Sequence, residues 1–158
     1  MAAEKQYPVP PETAEHALLT RAEYDRMYRQ SLDDPDTFWS EQAEQFITWF
    51  RKWDRVSNND LGKGQIRWFE GGKLNVSYNC LDRHLETHGD RNAIIWEGDE
   101  PGNTRHITYR ELHEEVCRLA NVLQDRGVSK GDRVSIYMPM IPEAVVAMLA
   151  CTRIGAVP

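Results

Sequence analysis

The sequence predicts an α/β protein: a helical, Trp-rich N-terminal segment, then the incomplete start of a larger α/β domain. Three observations carry this. Strand-like and helix-like runs alternate from residue 91 onward, the pattern of βαβ units around a parallel sheet. Three of the five Trp, at 39, 49 and 53, crowd into the front end. The last helix is apolar nearly all round, Ala144-Val145-Val146-Ala147-Met148-Leu149-Ala150, and such a helix is buried on several sides. After its closing Gly155 the alternation asks for another parallel strand. The chain is therefore expected to be a piece of a larger protein.

The elements follow in order. Residues 1–19 read as a flexible arm, with Pro8, Pro10 and Pro11 blocking regular structure. Thr20 and Glu23 form a capping box, and Tyr24, Met27 and Tyr28 share one face of the helix that follows, to about Leu32. Asp34-Pro35 gives an N-cap and a first-turn proline for a helix over 35–48. Residues 54–64 read as a loop, and 66–69 as a short strand ending in a turn at Gly71-Gly72. Ser77 caps a helix over 78–88 with stripe Tyr78, Leu81 and Leu85, stopped by Gly89. Ala93-Ile94-Ile95-Trp96 is a strand, 98–102 a turn, and 105–108 the returning strand. Thr108 and Glu111 cap the best helix, whose stripe is Leu112, Val116, Leu119, Ala120 and Leu123, with Gly127 as its stop. Gly131-Asp132 turns into a strand over 133–138, and the apolar helix runs over 142–154. The organisation expected is thus an arm over 1–19, an N-terminal segment over 20–90, and the start of a larger domain over 91–158.

Composition narrows the class. The 158 residues are 41% hydrophobic and 28% charged, enough for one domain or one and a fraction, burying roughly two-thirds of the unfolded surface. Lys and Arg total 19 against 25 Asp and Glu, a net charge of −6. That mixed, mildly acidic surface argues against nucleic acid or a membrane as partner, since both want a basic patch. MAAEKQYPVP lacks the apolar core of a secretory signal, and the apolar stretch 144–151 is too short to span a bilayer. Cys80, Cys117 and Cys151 are odd in number and widely spaced, which reads as free thiols in a reducing cytoplasm.

Four constellations could carry chemistry. His84 and His88 stand at i and i+4 and could chelate zinc. The run is not the zincin motif, and two surface histidines at a helix end is the plainer reading. Gly62-x-Gly64, Gly71-Gly72-Lys73 and Gly127…Gly131 match neither phosphate-loop pattern, so tight turns are expected. The three cysteines read as small buried residues, not nucleophiles. The aromatic cluster over 38–53 reads as core packing, with a partner-helix face as the alternative. No catalytic, cofactor-binding or metal residue is expected from these residues.

A resemblance goes further. Trp68-Phe69-Glu70-Gly71-Gly72-Lys73-Leu74-Asn75-Val76-Ser77-Tyr78-Asn79-Cys80-Leu81-Asp82-Arg83-His84 resembles the N-terminal signature of acetyl-CoA synthetases. So do Arg91–Gly102 read as a run, Ile107-Thr108-Tyr109-Arg110-Glu111-Leu112, and the stretch from Gly131-Asp132-Arg133-Val134 to Val157. The Thr-Tyr-x-Glu-Leu and Gly-Asp-Arg-Val pieces are similar to those of the whole adenylate-forming superfamily. The first run narrows the likeness to acetyl- and propionyl-CoA synthetases.

The resemblance implies an AMP-forming ligase. Acetate and ATP give acetyl-adenylate and pyrophosphate with magnesium, and CoA then displaces AMP. It also implies the incomplete start of the large N-terminal α/β domain of an adenylate-forming enzyme. The family's phosphate loop, adenine and acyl-pocket contacts and C-terminal lysine have no counterpart here, so no site residue carries over. ATP, CoA and Mg are cofactors of the parent family, and none is expected to bind these residues well. Where the family continues with His-Ser, Pro158 stands. The expected role is architectural: the N-terminal part of an acetate–CoA ligase, inactive alone and prone to self-association. The alternatives are a stand-alone docking or regulatory module, a propionate–CoA ligase fragment, and a small metal enzyme using His84 and His88.

Overall fold

The Thr20 hydroxyl decides where the first long helix begins. In the computed structural model, which describes residues 7–158, its Oγ1 accepts from the Glu23 N–H at 3.3 Å. Glu23 Oε2 accepts in return from the Thr20 N–H at 2.9 Å. Two orphan donors are satisfied by one reciprocal pair. The Thr20 contacts also hold the Glu23 carboxyl below the usual carboxylate range. The short helix α1 spans Pro11–Glu15, α2 spans Arg21–Asp33 and α3 spans Pro35–Phe46. The expected arm thus contains a one-turn helix that Pro11 opens, because a first-turn proline gives up no needed N–H. Residues 1–6 of that arm lie outside the described residues. Asp34 Oδ1 accepts from the Thr37 N–H at 3.2 Å and caps α3 as expected.

The chain divides into two units. One holds residues to Phe46 together with Arg55–Glu70; the other holds Ile47–Asp54 and Gly71–Pro158. In the first, β1 (Arg55–Ser57) pairs antiparallel with β2 (Trp68–Glu70), Ser57 opposite Trp68. The expected loop over 54–64 therefore contains the three residues of β1 and a 3₁₀ turn at Leu61–Lys63, capped by Asp60. Among the described residues of this unit Ala43 alone is buried. The aromatic cluster does not form the expected core here. Trp39 meets Phe38 and Trp68 edge-on at 5.0 and 6.2 Å, yet Trp39 stays 44% exposed and Phe46 59%.

The second unit holds the core. Its helix over 78–88 is broken into α4 (Val76–Cys80), a 3₁₀ turn at Asp82–His84, and α5 (Leu85–His88). The cap is Asn75, whose Oδ1 accepts from the Tyr78 N–H at 3.0 Å. Ser77, the expected cap, is fully buried and its hydroxyl has no hydrogen bond among the described residues. The break falls at Leu81 (φ −122°, ψ −68°), and it turns a side chain only 1% exposed into the core. Strands β3 (Asn92–Glu97) and β4 (Thr104–Thr108) form the expected hairpin, Ile95 opposite His106.

Helix α6 (Tyr109–Asp125) starts at the expected Thr108–Glu111 capping box. It ends with Gly127 at φ 88°, where the N–H groups of Gly127 and Val128 bond the carbonyls of Gln124 and Leu123. Its stripe Leu112, Val116 and Ala120 packs with Leu81, Ile107, Val146 and Ala150. Helix α7 (Pro142–Ile154) contributes the last two, and Gly155 closes it at φ 80°. The strand expected over 133–138 is reduced to one parallel bridge, Arg133 to Val157. Val134 N–H donates to Val157 O at 2.9 Å, and Val157 N–H to Asp132 O at 2.8 Å. Residues 134–138 run without a ladder because a partner backbone reaches only their first residues. No described helix is long and apolar enough to cross a membrane.

Leu81→Ala is expected to lower stability by about 2–5 kcal/mol, the range for removing a fully buried leucine. Urea unfolding of the protein at its full encoded length checks this.

Candidate functional site

The richest polar cluster lies between the Asn75–Asp82 stretch and the end of α7. The last carbonyls of any helix lack intrahelical partners. Here Asn75 Nδ2 donates to Thr152 O at 3.0 Å and Arg153 O at 3.1 Å. The same amide caps α4 with its oxygen, so one side chain joins a helix start to a helix end. One turn on, Asn79 does similar work on a strap. Its Oδ1 accepts from Thr48 N–H at 2.8 Å and its Nδ2 donates to Thr48 O at 3.0 Å.

Asp82 completes the cluster. Arg153 grips it with both terminal nitrogens, Nη1 to Oδ2 at 2.7 Å and Nη2 to Oδ1 at 2.9 Å. His113 Nε2 lies 3.2 Å from Oδ1 and 3.4 Å from Arg153 Nη2. The paired side chains are 27% and 19% exposed, so water screens them little. The Arg153 hydrogen bonds hold the Asp82 carboxyl below its usual range, against the opposing effect of burial. The same bonds raise the Arg153 guanidinium. A planar guanidinium fits a carboxylate through two parallel bonds, which fixes direction as well as distance.

Cys117 Sγ lies 3.5 Å from His113 Nε2, so Asp82, His113 and Cys117 superficially resemble a nucleophile triad. They lack its geometry. A triad uses one ring nitrogen toward the carboxylate and the other toward the nucleophile. Here Nε2 faces both, and Arg153 already occupies both carboxylate oxygens. The arrangement holds elements together; it cannot relay a proton through the ring.

The residues singled out in the sequence fall elsewhere. His84 and His88 stack face to face at 6.2 Å, and His84 Nε2 accepts from Arg83 Nε at 3.2 Å. Among the described residues no group of three His, Cys, Asp or Glu could hold a metal ion. Gly71 sits at φ 81° with the Asp54 carboxylate against its α carbon, where a side chain would collide. The Asp54 carboxylate fills that turn while paired with Arg51 Nη2 at 2.8 Å, and Lys73 pairs by backbone with Arg51, its N–H donating to Arg51 O at 2.9 Å. Gly64 ends the 3₁₀ turn, and Gly127 and Gly131 close a helix and a turn. Cys151 is buried, and burial pushes its thiol up. Cys80 is exposed, against the expectation that all three cysteines are buried. Sequence reasoning missed His113 and Cys117, although their i, i+4 spacing on a capped helix was visible. It also missed Arg153, whose partner stands 71 residues earlier.

Residues 24–80 match the family model described as acetyl-coenzyme A synthetase N-terminus, and residues 81–158 match that of the AMP-binding enzymes. The chain belongs to the acetyl-coenzyme A synthetase family. It is 65% identical over 157 residues to the acetyl-coenzyme A synthetase of Alkalilimnicola ehrlichii, covering 99% of this chain and 24% of that protein. It is 62% identical over 151 residues to acetyl-coenzyme A synthetase 2 of Pseudomonas aeruginosa, covering 96% and 23%. Among solved structures, the acetoacetyl-CoA synthetase from Streptomyces lividans matches with a TM-score of 0.78 and 36% identity, over 92% of this chain and 22% of that one. The chain thus spans about a quarter of the length of the curated synthetases it matches, and corresponds to their N-terminal part. The cluster built on Asn75, Asn79 and Asp82 lies in the stretch that resembled the synthetase signature.

Arg153→Ala is expected to destabilise the protein by about 2–3 kcal/mol, because it strands a shielded carboxylate. Acid should act in the same direction. A carboxyl held low in the folded state stabilises above its unfolded value of about 4, and that stabilisation fades as pH falls through the folded value. Urea midpoints measured from pH 6 downward should therefore drop further for the wild type than for Asp82→Asn.

Proposed function

We propose that this chain serves as the N-terminal part of an AMP-forming acetate–CoA ligase and that its own contribution is architectural. The ligase joins acetate, ATP and CoA through acetyl-adenylate, releasing AMP and pyrophosphate, with magnesium on the nucleotide phosphates. The observation that carries the reading is 65% identity over 157 residues to an acetyl-coenzyme A synthetase. The polar cluster supports the architectural role, since its side chains are consumed by one another and by backbone. In this reading residues 1–19 are an arm, 20–90 the synthetase N-terminal segment and 91–158 the start of the AMP-binding domain. No adenylation residue lies among the 158, and the location is cytoplasmic.

A second reading, a docking or self-associating module, is favoured by the large exposed side chains. Tyr24, Tyr28, Leu32, Trp39 and Phe46 are 44–63% exposed, and clustered apolar surface of this kind marks an interaction site. Nucleic acid and membranes are not partners in either reading, given the net charge of −6.

Acetate-dependent ATP–pyrophosphate exchange tests the ligase reading. The gene product at its full encoded length should exchange, and the 158-residue chain should stay at the level of a heat-killed control. Exchange by the short chain would overturn the architectural role. No acetate-dependent exchange by the full-length product would overturn the ligase, and a preference for propionate would reassign the substrate. In sedimentation, the isolated 158-residue chain should self-associate and unfold without a sharp transition. A compact, cooperatively unfolding monomer counts against that.

A further inference from the structure

The backbone after Arg133 has begun a ladder that it does not finish. Val134 N–H donates to Val157 O, and Val157 N–H donates to Asp132 O. That exchange sets Arg133 opposite Val157 in a parallel register. Residues 135–138 carry no further ladder, and Tyr137 and Met138 are exposed. Beside them lies an apolar cleft of about 560 Å³, walled by residues 133–136 and by Ala144 and Met148 of α7. Val157 and Pro158 line it too. Unpaired strand backbone is a template for another strand. We propose that the residues following Pro158 in the full-length protein continue from Val157 as a strand parallel to 134–138 and close this cleft over α7.

The inference rests on the reading of the chain as the N-terminal part of a longer synthetase, since it covers 24% of the Alkalilimnicola ehrlichii protein. The chain's own continuation is favoured over a second copy because it is already tethered in register by two hydrogen bonds, and a tethered segment has a high effective concentration. The register fixes what each residue does. Alternate residues of a strand turn their backbone groups to the same neighbour. Pro158 therefore points its nitrogen away from 134–138, and its missing N–H costs this ladder nothing. The second residue after Val157 pairs with Ser135, accepting from Ile136 N–H and donating to Val134 O. Val134 and Ile136 are half-buried while Ser135 and Tyr137 are exposed, so the pleat turns even positions toward α7. The third residue after Val157 stands opposite Ile136, faces Ala144 and Met148, and is apolar.

Disulfide trapping in the full-length protein tests both the occupant and the register. Ser135→Cys is combined with a cysteine placed two residues after Val157. Paired residues on neighbouring strands lie about 4.8 Å apart, within reach of a disulfide. Mild oxidation should link the two within one chain, as read by peptide mass spectrometry. A cysteine placed three residues after Val157 points to the other face and should link to Ser135→Cys at least about ten-fold less. No link, equal links from both positions, or a link between two chains overturns the proposal. Where the double variant does not fold, hydrogen exchange of the wild type decides. The Ile136 and Met138 amides should exchange at least about 100-fold slower than in an unfolded chain, and unprotected amides there overturn the strand. A full-length protein that performs acetate-dependent exchange but fails these tests loses this inference alone, whereas loss of acetate-dependent exchange counts against the ligase reading.

Discussion

The carbonyl groups that end α7 must be satisfied outside their own helix, and the way this is done organises the larger unit. Asn75 takes the Thr152 and Arg153 carbonyls with one amide nitrogen, while its oxygen starts α4. Arg153 then reaches from the same turn to Asp82 at the far side of α4. Two contacts a few residues apart fix both the position and the rotation of the 75–82 stretch. Leu81 is thereby pointed into the core, against Val116 and Ala150. A buried ion pair adds little net stability over an apolar substitute, because desolvation offsets much of the attraction. What it adds here is direction, since a bidentate guanidinium tolerates one carboxylate orientation.

Local chemistry made half of the fold legible. The capping boxes at Thr20 and Thr108, the Asp34-Pro35 start and the Gly127 and Gly155 stops each act within a few residues. The stripe of α6 was legible because its buried positions recur at helical spacing. What failed depended on distant partners. The break at Leu81 turns a buried side chain toward core residues that stand far along the chain. The ribbon of Arg55–Ser57 with Trp68–Glu70 needs two three-residue strands to find each other across a turn, and neither has a periodicity to detect. The run 134–138 looked like a strand by composition, but a strand exists only where another backbone answers it. At the candidate cluster Asp82 and Arg153 stand 71 residues apart, beyond any pattern of spacing.

The aromatic front end shows the same limit from another side. Trp content predicts that rings will touch one another, and they do, at Phe38–Trp39 and Trp39–Trp68 in one unit and Trp49–Trp53 in the other. It does not predict burial, because burial requires a second layer. Helix α7 makes the contrast within one element. Val146 and Ala150 are covered by α6 and the hairpin, while Ala144 and Met148 line an open cleft of about 560 Å³ with Ser135, Ile136 and Val157. A sequence apolar on every side marks both faces alike.

The motifs that carried the resemblance sort by the same physical rule. The Thr-Tyr-Arg-Glu-Leu piece is a capping box, with Thr108 and Glu111 satisfying each other. In the Gly-Asp-Arg-Val piece, Gly131 takes φ 91° and Asp132 Oδ2 accepts from the Ser129 N–H and hydroxyl. Both are solutions to local backbone problems that any chain with these elements faces, which suits motifs resembling a whole superfamily. The Asn75–Asp82 stretch solves a different problem. Its amides fit backbone atoms of Thr48, Thr152 and Arg153, and its carboxylate fits the Arg153 side chain, so these side chains depend on where distant backbone lies and, for Asp82, on one distant side chain. Residues bound to distant partners in this way define a narrower family than residues bound to their own turn.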